Sequence, residues 1–501
     1  MMTYDQYVTQ METGDLFVIA LAVIGLIFAF VANRLQSGWT LKISHVMVLA
    51  FFARVPMMFE SLWYDETFSG VASALIPNPT AFNTFWMSDV HPPLAYWLYP
   101  FRGEGIWGDV LLRVVPLLAG LWVVYLVYLI CKVMYRKSYR VDEIAIIASL
   151  LVALSPALIQ YSAEARAYMP MTSLVLVGVL AILKNKPFWF GFIVFLPLIN
   201  NHGYLWMGLL CLIAILYAKS KRVEWVASLL VIVLVSANAF FNFLLPQMTD
   251  VTNGFWLRGV TIGSFLSSFV TITIGARMPI GIMILVSVMV FGLIIASYRA
   301  QNRNYILWVM VVGVPLITAI ISVFWSPIYL PRAMLPASVF VLIGMANLAS
   351  ESKFNRGLVF GVLAIPFFFQ YAPDYQKMDN RTFLDNCAGT DVIYSPATNV
   401  AIISKWYSDL PVMVAPNHND LNQWLSDSAL DVIGISPVEW DDIQGQFVCV
   451  PFLVNPMIGE AQRAFKRDLD LMVSQGNAQR FLMESSAYLD FYIYKVWKYD
   501  I

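Results

Sequence analysis

Uninterrupted apolar stretches separated by short polar turns fill most of the first 371 residues. They run at about Leu16 to Val31, Ser44 to Phe59, Val110 to Cys131, Ile144 to Tyr161, Tyr168 to Leu183 and Phe188 to Asn200. Six more follow at Gly203 to Ala218, Val226 to Leu245, Ile280 to Ser297, Ile306 to Phe324, Ala333 to Leu348 and Leu358 to Phe369. A bilayer is crossed by roughly 20 apolar residues, so the pattern predicts a polytopic α-helical membrane protein with about twelve transmembrane helices over residues 1-371. Between the second and third runs, Glu60 to Asp109 is dense in Trp, Tyr and Pro, which suits helices lying at the membrane interface. From about Ala372 the pattern changes. Charged and amide residues return, and short apolar runs (Asp391 to Tyr394, Pro411 to Val414, Asp431 to Ile435) alternate with helix-like stretches such as Asn399 to Tyr407. That alternation predicts a small C-terminal α/β domain over 372-501.

Composition agrees with the runs. At 59% hydrophobic and 13% charged residues, with a mean hydropathy of +0.69, the chain is far from a soluble average. Membrane lipid is therefore an expected partner, nucleic acid is not, and the net charge of -1 identifies no other. The first run follows an acidic segment and ends without a small-residue cleavage site, so it reads as a retained helix.

Charge sets the orientation. Alternate short loops collect Arg34, Lys42, Lys132, Arg136, Lys137, Arg140, Lys184, Lys186, Lys219, Lys221, Arg222, Arg299, Arg303, Lys353 and Arg356, fifteen of the 31 basic residues. The positive-inside rule puts those loops in the cytoplasm. The N-terminus, the Glu60 to Asp109 loop and the C-terminal domain then lie outside. Of the four cysteines, Cys387 and Cys449 fall in the external tail, where an oxidising compartment permits a disulfide.

Three constellations could carry chemistry. Asp65-Glu66, just beyond a span, shares one external loop with Asp89 and His91-Pro92-Pro93. Adjacent carboxylates serve as a general base or as hard ligands for a divalent cation, Mg or Mn, although isolated exposed acids are commonly mere solvated charges. The two prolines stiffen the turn that presents His91. The second is Glu164-Ala165-Arg166-Ala167-Tyr168, at the outer end of a helical hairpin. Ionisable residues at such depth usually face a partner or a watery cavity, and the Arg166 fork can hold a phosphate; the bland alternative is an interfacial pair that closes the hairpin. In the third, Tyr329-Leu330-Pro331-Arg332, the arginine stands at a proline-started helix N-terminus, where an anion is favoured and where a snorkelling side chain is equally at home. His202, in Asn200-Asn201-His202, and Arg258 and Arg277, flanking a mildly apolar external segment, lie at other outer turns.

Taken in order, Asp65-Glu66, His91-Pro92-Pro93-Leu94 with Tyr96-Trp97-Leu98, Glu164-Ala165-Arg166-Ala167-Tyr168 and Tyr329-Leu330-Pro331-Arg332 with Pro336 resemble the multi-span glycosyltransferases of the C superfold (GT-C). Within it the pattern looks most like the bacterial branch of protein O-mannosyltransferases and the aminoarabinose transferase that modifies lipid A. The resemblance covers roughly Ser44 to Phe369. It implies an inverting transfer of a hexosyl or pentosyl group from a polyprenyl phosphate to an acceptor outside the bacterial inner membrane. It also implies roles: Asp65 as base or metal-oriented acid with Glu66 beside it, His91 as the histidine of that loop, and Arg166 and Arg332 near the donor phosphate. Asp89, Glu164, Tyr168 and His202 support them. The chain departs from the pattern at Ala333, where the family commonly has an aromatic.

The chemistry suits an inverting displacement, which needs an acceptor base and cationic help for the departing phosphate but no nucleophilic side chain. The acceptor is expected to be a surface glycan such as lipopolysaccharide O-antigen, with lipid and protein as alternatives. The rival class is a transporter or flippase of a lipid-linked sugar. Such proteins generally place their charges near the bilayer midplane, in paired repeats; here the charges cluster at one face and no repeat is seen.

Overall fold

The computed structural model describes residues 41–87, 91–101, 103, 105–217, 220–245, 260–275, 279–300, 305–325, 327–351, 353–369, 380–415, 425–454, 460–475, 477–485 and 490–498. The expected first helix (Leu16 to Val31), Asp89, Arg102, Arg258 and Arg277 lie outside the described residues. Two compact units emerge: Met1–Phe59 with Arg113–Pro246 and Phe255–Gln376, and Glu60–Leu112 with Gln247–Gly254 and Lys377–Ile501.

The first unit is helical. Among the described residues of the chain, five helices are long and apolar enough to cross a membrane: Gly105–Met134, Arg222–Leu244, Ile280–Arg299, Tyr305–Phe324 and Pro331–Glu351. Tyr168–Leu183, Pro187–Ile199, Gly203–Tyr217, Ile262–Ile274 and Asn355–Phe369 are shorter apolar helices. This is the multi-pass helical architecture that the runs predict. The Ile144 to Tyr161 run, however, is not one straight helix. It breaks into Val141–Leu154 and Pro156–Ser162, bent by 61°. Pro156 has no N–H to continue the first helix, and Ser155 turns extended and accepts Leu158 N at 3.5 Å to cap the second.

The break leaves carbonyls at the end of the first helix without a helical donor. Arg54, fully buried, supplies them: Nη1 donates to Ala153 O at 2.9 Å, Nη2 to Val152 O at 3.4 Å and Nε to Ser162 Oγ at 3.0 Å. Gly120 makes room, since a Cβ there would clash with Ser162. Arg113, equally buried, donates to Met58 O at 3.0 Å at the end of the Val55–Phe59 turn.

In the second unit a six-stranded sheet is built from β1 (Val392–Ser395), β2 (Val412–Val414), β3 (Ile435–Pro437), β4 (Gln446–Val454), β5 (Ala478–Ser485) and β6 (Asp490–Lys498). Its order is β3-β2-β1-β4-β6-β5. The β3-β2-β1-β4 part is parallel, while β6 runs antiparallel to both β4 and β5. Helices Thr398–Tyr407 and Asp427–Val432 form the crossovers of the parallel part. This is the α/β domain that the tail predicts, with one shift: the Asp431 to Ile435 run is mostly the end of a helix and its turn, Gly434 at φ +71° closing it before β3 starts at Ile435. Val392, Tyr394, Val448, Val450, Tyr494 and Val496 make the buried core with Leu469 of helix Glu460–Ser474. Cys387 and Cys449 form a disulfide to β4.

Helices of the Glu60 to Asp109 loop pack on this domain. Helix Tyr64–Leu75 packs on Thr398–Tyr407, and Pro79–Trp86 on Asp427–Val432. Gly70 sits under the Trp406 ring; a Cβ there would lie 2.5 Å from Trp406 Cζ3.

Candidate functional site

The candidate residues fall in both units. In the membrane unit they occupy two turns. Between helices Pro156–Ser162 and Tyr168–Leu183 the chain folds tightly, Arg166 N donating to Glu164 O at 2.7 Å. Glu164, Arg166 and Tyr168 are 2%, 5% and 2% exposed, so none is a solvated loop residue. Gln160 Nε2 donates to Glu164 Oε1 at 3.1 Å and fixes that carboxylate. The Tyr168 ring stands edge-on to Tyr161 at 5.7 Å.

Arg332 comes to the same place from the other turn. Its guanidinium lies over the Tyr168 ring, Cζ 5.4 Å from the centroid. As its sequence predicts, it follows Pro331 at a helix start: Pro331–Met334 forms a 3-10 turn that runs into Leu335–Glu351. The preceding loop is tied down from three sides. Ser322 Oγ accepts Ile328 N at 3.0 Å and Tyr329 N at 2.7 Å, and His202 Nε2 meets Ile328 O at 2.8 Å. The Tyr329 hydroxyl is hydrogen-bonded to the Ser268 hydroxyl, which also reaches Phe265 O at 2.6 Å. Burial pushes the Tyr329 hydroxyl up from its usual pKa, the Ser268 bond acting the other way. His202 thus holds the loop that leads to Arg332. Ala333, where the family pattern has an aromatic, is fully buried, and its carbonyl accepts Trp206 Nε1 at 3.0 Å.

In the second unit, Asp65 and Glu66 occupy the first turn of helix Tyr64–Leu75. Acids there are favoured by the helix dipole. The two are not equivalent. Glu66 is fully buried and its Oε2 accepts Trp63 N at 3.3 Å, closing the helix's own N-terminus, while Asp65 is half-buried. Phe68 on this helix stacks on Phe85 at 4.8 Å and meets Tyr96 at 6.1 Å. Tyr96 belongs to the Pro93–Leu98 turn that follows His91, and the His91 carbonyl accepts Trp86 Nε1 at 2.8 Å. One aromatic cluster thereby unites the Asp65 helix and the His91 turn in a single packed piece. Among the described residues no three His, Cys, Asp or Glu side chains come close enough to hold a metal ion.

Residues absent from the sequence reading carry weight here. Arg54 had a signal, an ionisable residue inside an apolar run. Asp109, fully buried, had only its place at the edge of one.

Among solved structures the chain is similar to ArnT from Cupriavidus metallidurans in two states. The apo crystal structure matches with a TM-score of 0.54 at 13% identity, over 94% of this chain and 98% of that one. The crystal structure bound to undecaprenyl phosphate matches with a TM-score of 0.52 at 13% identity, over 90% and 96%. No protein-family model matches the sequence, and no curated protein does. At this identity the likeness is one of fold, and the GT-C resemblance read from the motifs is met at that level.

Proposed function

We propose that the chain is an inverting glycosyltransferase that moves a sugar from a polyprenyl-phosphate donor to an acceptor outside the bacterial inner membrane. The observation that carries the reading is the pairing of two arginine-bearing turns in the membrane unit: Arg332 lies on the buried Tyr168 ring, two residues from buried Arg166. A guanidinium at each of these turns suits a phosphate through planar, charge-assisted forks. Their placement at helix ends suits the departing polyprenyl phosphate, whose charge grows as the glycosidic bond breaks. Asp65 takes the acceptor proton, which its half-buried position permits, while Glu66 holds the helix that carries it and His91 supports the same piece. The fold shared with ArnT, and an ArnT structure bound to undecaprenyl phosphate, support the donor class.

The external orientation draws support from the Cys387 and Cys449 disulfide, which suits an oxidising compartment, and from the basic residues of the opposite loops. The preferred acceptor is a surface glycan such as lipopolysaccharide O-antigen, ahead of lipid or protein.

Purified protein in nanodiscs, given a panel of labelled polyprenyl-phosphate sugars and candidate acceptors, tests the reading. Transfer with inversion is expected, falling by about a hundredfold or more in Asp65→Asn and in Arg166→Ala. Near-normal transfer by Asp65→Asn would remove the acid from its role. Movement of the lipid-linked sugar across the bilayer without transfer would replace the enzyme by a transporter. The Mg or Mn expectation at Asp65 and Glu66 rides on the same assay: a pair working through a cation loses transfer to a chelator and regains it when the metal returns.

A further inference from the structure

The two residues that lead into the Asp65 helix, Ser61 and Leu62, are both buried and both held by the C-terminal domain. Asn380 N donates to Ser61 Oγ at 2.9 Å, and Asn380 Nδ2 donates to Leu62 O at 2.7 Å. From the other side, Leu62 N donates to the Tyr407 hydroxyl at 2.5 Å. That hydroxyl in turn donates to Asp109 Oδ2 at 2.8 Å, and Trp406 Nε1 donates to Asp109 Oδ1 at 3.2 Å. Arg381 Nε stands 3.6 Å from Asp109 Oδ2. Both main-chain polar groups of Leu62 are therefore taken by tail side chains more than 300 positions away, and the Trp406 ring clamps the following helix at Gly70.

A contact that serves packing alone needs apolar area only. This contact instead fixes the backbone three residues before Asp65 through a relay anchored on a buried carboxylate. Buried carboxylates are costly unless well bonded, and a fully satisfied relay holds its members to one geometry.

We infer that Tyr407, Asn380 and Asp109 are positioning residues for the Asp65 helix, so that the C-terminal domain is a working part of the transferase. The inference rests on the proposed transferase reading. Tyr407→Phe cuts the link between Leu62 N and Asp109 while keeping the ring. Asn380→Ala removes the second clamp and serves if the first variant folds poorly.

The experiment uses full-length protein in nanodiscs, the labelled polyprenyl-phosphate sugar that the wild type consumes, and undecaprenyl phosphate as the binding probe. Tyr407→Phe is expected to lower kcat by about tenfold to a hundredfold, the range that a misplaced catalytic group produces, with donor KM and undecaprenyl phosphate affinity held within about twofold. Asp470→Asn, in the same domain but bonded to Lys466, Arg480 and Tyr494 and to no member of this relay, is the structural control: it lowers Tm and leaves kcat alone. Wild-type kcat in both Tyr407→Phe and Asn380→Ala, alongside inactive Asp65→Asn, overturns the positioning role and leaves the transferase reading standing. A kcat loss in Tyr407→Phe no larger than that of Asp470→Asn at matched Tm also overturns it. Full transfer by Asp65→Asn, or none by the wild type with any donor, sinks the transferase reading and this inference with it.

Discussion

In the membrane unit, several side chains direct donors to main-chain carbonyls: Arg54 to Val152 and Ala153, Arg113 to Met58, His202 to Ile328, Trp206 to Ala333. In the second unit the corresponding hubs are acids surrounded by side chains, Asp109 with Trp406, Tyr407 and Arg381, and Asp470 with Lys466, Arg480 and Tyr494. The difference follows from solvent. Lipid offers no water to a carbonyl freed by a broken helix, so each break must be closed by a donor from the protein. The α/β domain has its main chain satisfied by sheet and helix ladders, and its ionic groups are free to organise contacts between elements. Breaks are where the membrane unit presents its candidate site residues. Their carbonyl caps are accordingly the price of function in that unit.

The sharpest way to break the comparison is Arg54→Met. It preserves bulk but leaves the Val152 and Ala153 carbonyls without their guanidinium, and Pro156 cannot replace it. Each orphaned buried acceptor costs about 1–3 kcal/mol, so a loss of about 3–5 kcal/mol is expected, seen as a collapse of Tm in detergent and a low yield of monodisperse protein. Arg54→Lys, which reaches fewer carbonyls, falls between. A wild-type Tm for Arg54→Met would show that the broken helix closes itself.

The second unit is expected to respond next to loss of its disulfide. Cys387 and Cys449 are 62 residues apart, and closing a loop of that length contributes about 4 kcal/mol in the chain-entropy model. Cys387→Ser with Cys449→Ser, or mild reduction, should lower the unfolding temperature of the α/β domain while the helical signal of the membrane unit persists. Joint loss of both signals would mean that the two units unfold as one.

What was legible in the sequence divides along the same line. Spans and strands announce themselves through local periodicity, and the Glu164 to Tyr168 turn and Arg332 stood out because ionisable residues at the ends of apolar runs are costly. The cation-π contact of Arg332 on Tyr168 was not legible, because nothing local ties positions so far apart. Nor was the Asp109 relay: Asn399 to Tyr407 reads as a helix-like stretch, but its pattern does not say that it meets Tyr64–Leu75. Glu66 shows a further limit. As one of two neighbouring acids it looked like half of a catalytic pair, and only the fold reveals its carboxylate capping the helix that Asp65 rides on.

The smallest effect belongs to Asp470, and its pH dependence has a definite sign. Partial burial would raise its carboxyl pKa, but hydrogen bonds from Lys466, Tyr494 and Arg480 outweigh it and hold the group below its usual 3.8. The unfolded chain therefore binds this proton more readily than the folded one. Its stabilising contribution is complete above the unfolded value and is lost as pH falls through the lower folded value. Because the side chain is still 32% exposed, solvent screens the network, and Asp470→Asn should cost only about 1 kcal/mol near neutrality. The check is Tm of the full-length wild type and variant across pH. Their difference should hold from neutrality down to about pH 5 and close below about pH 4. A gap that persists unchanged into acid would mean that the carboxylate's charge is not what joins Lys466, Arg480 and Tyr494, and that neutral packing around helix Glu460–Ser474 holds this corner of the domain instead.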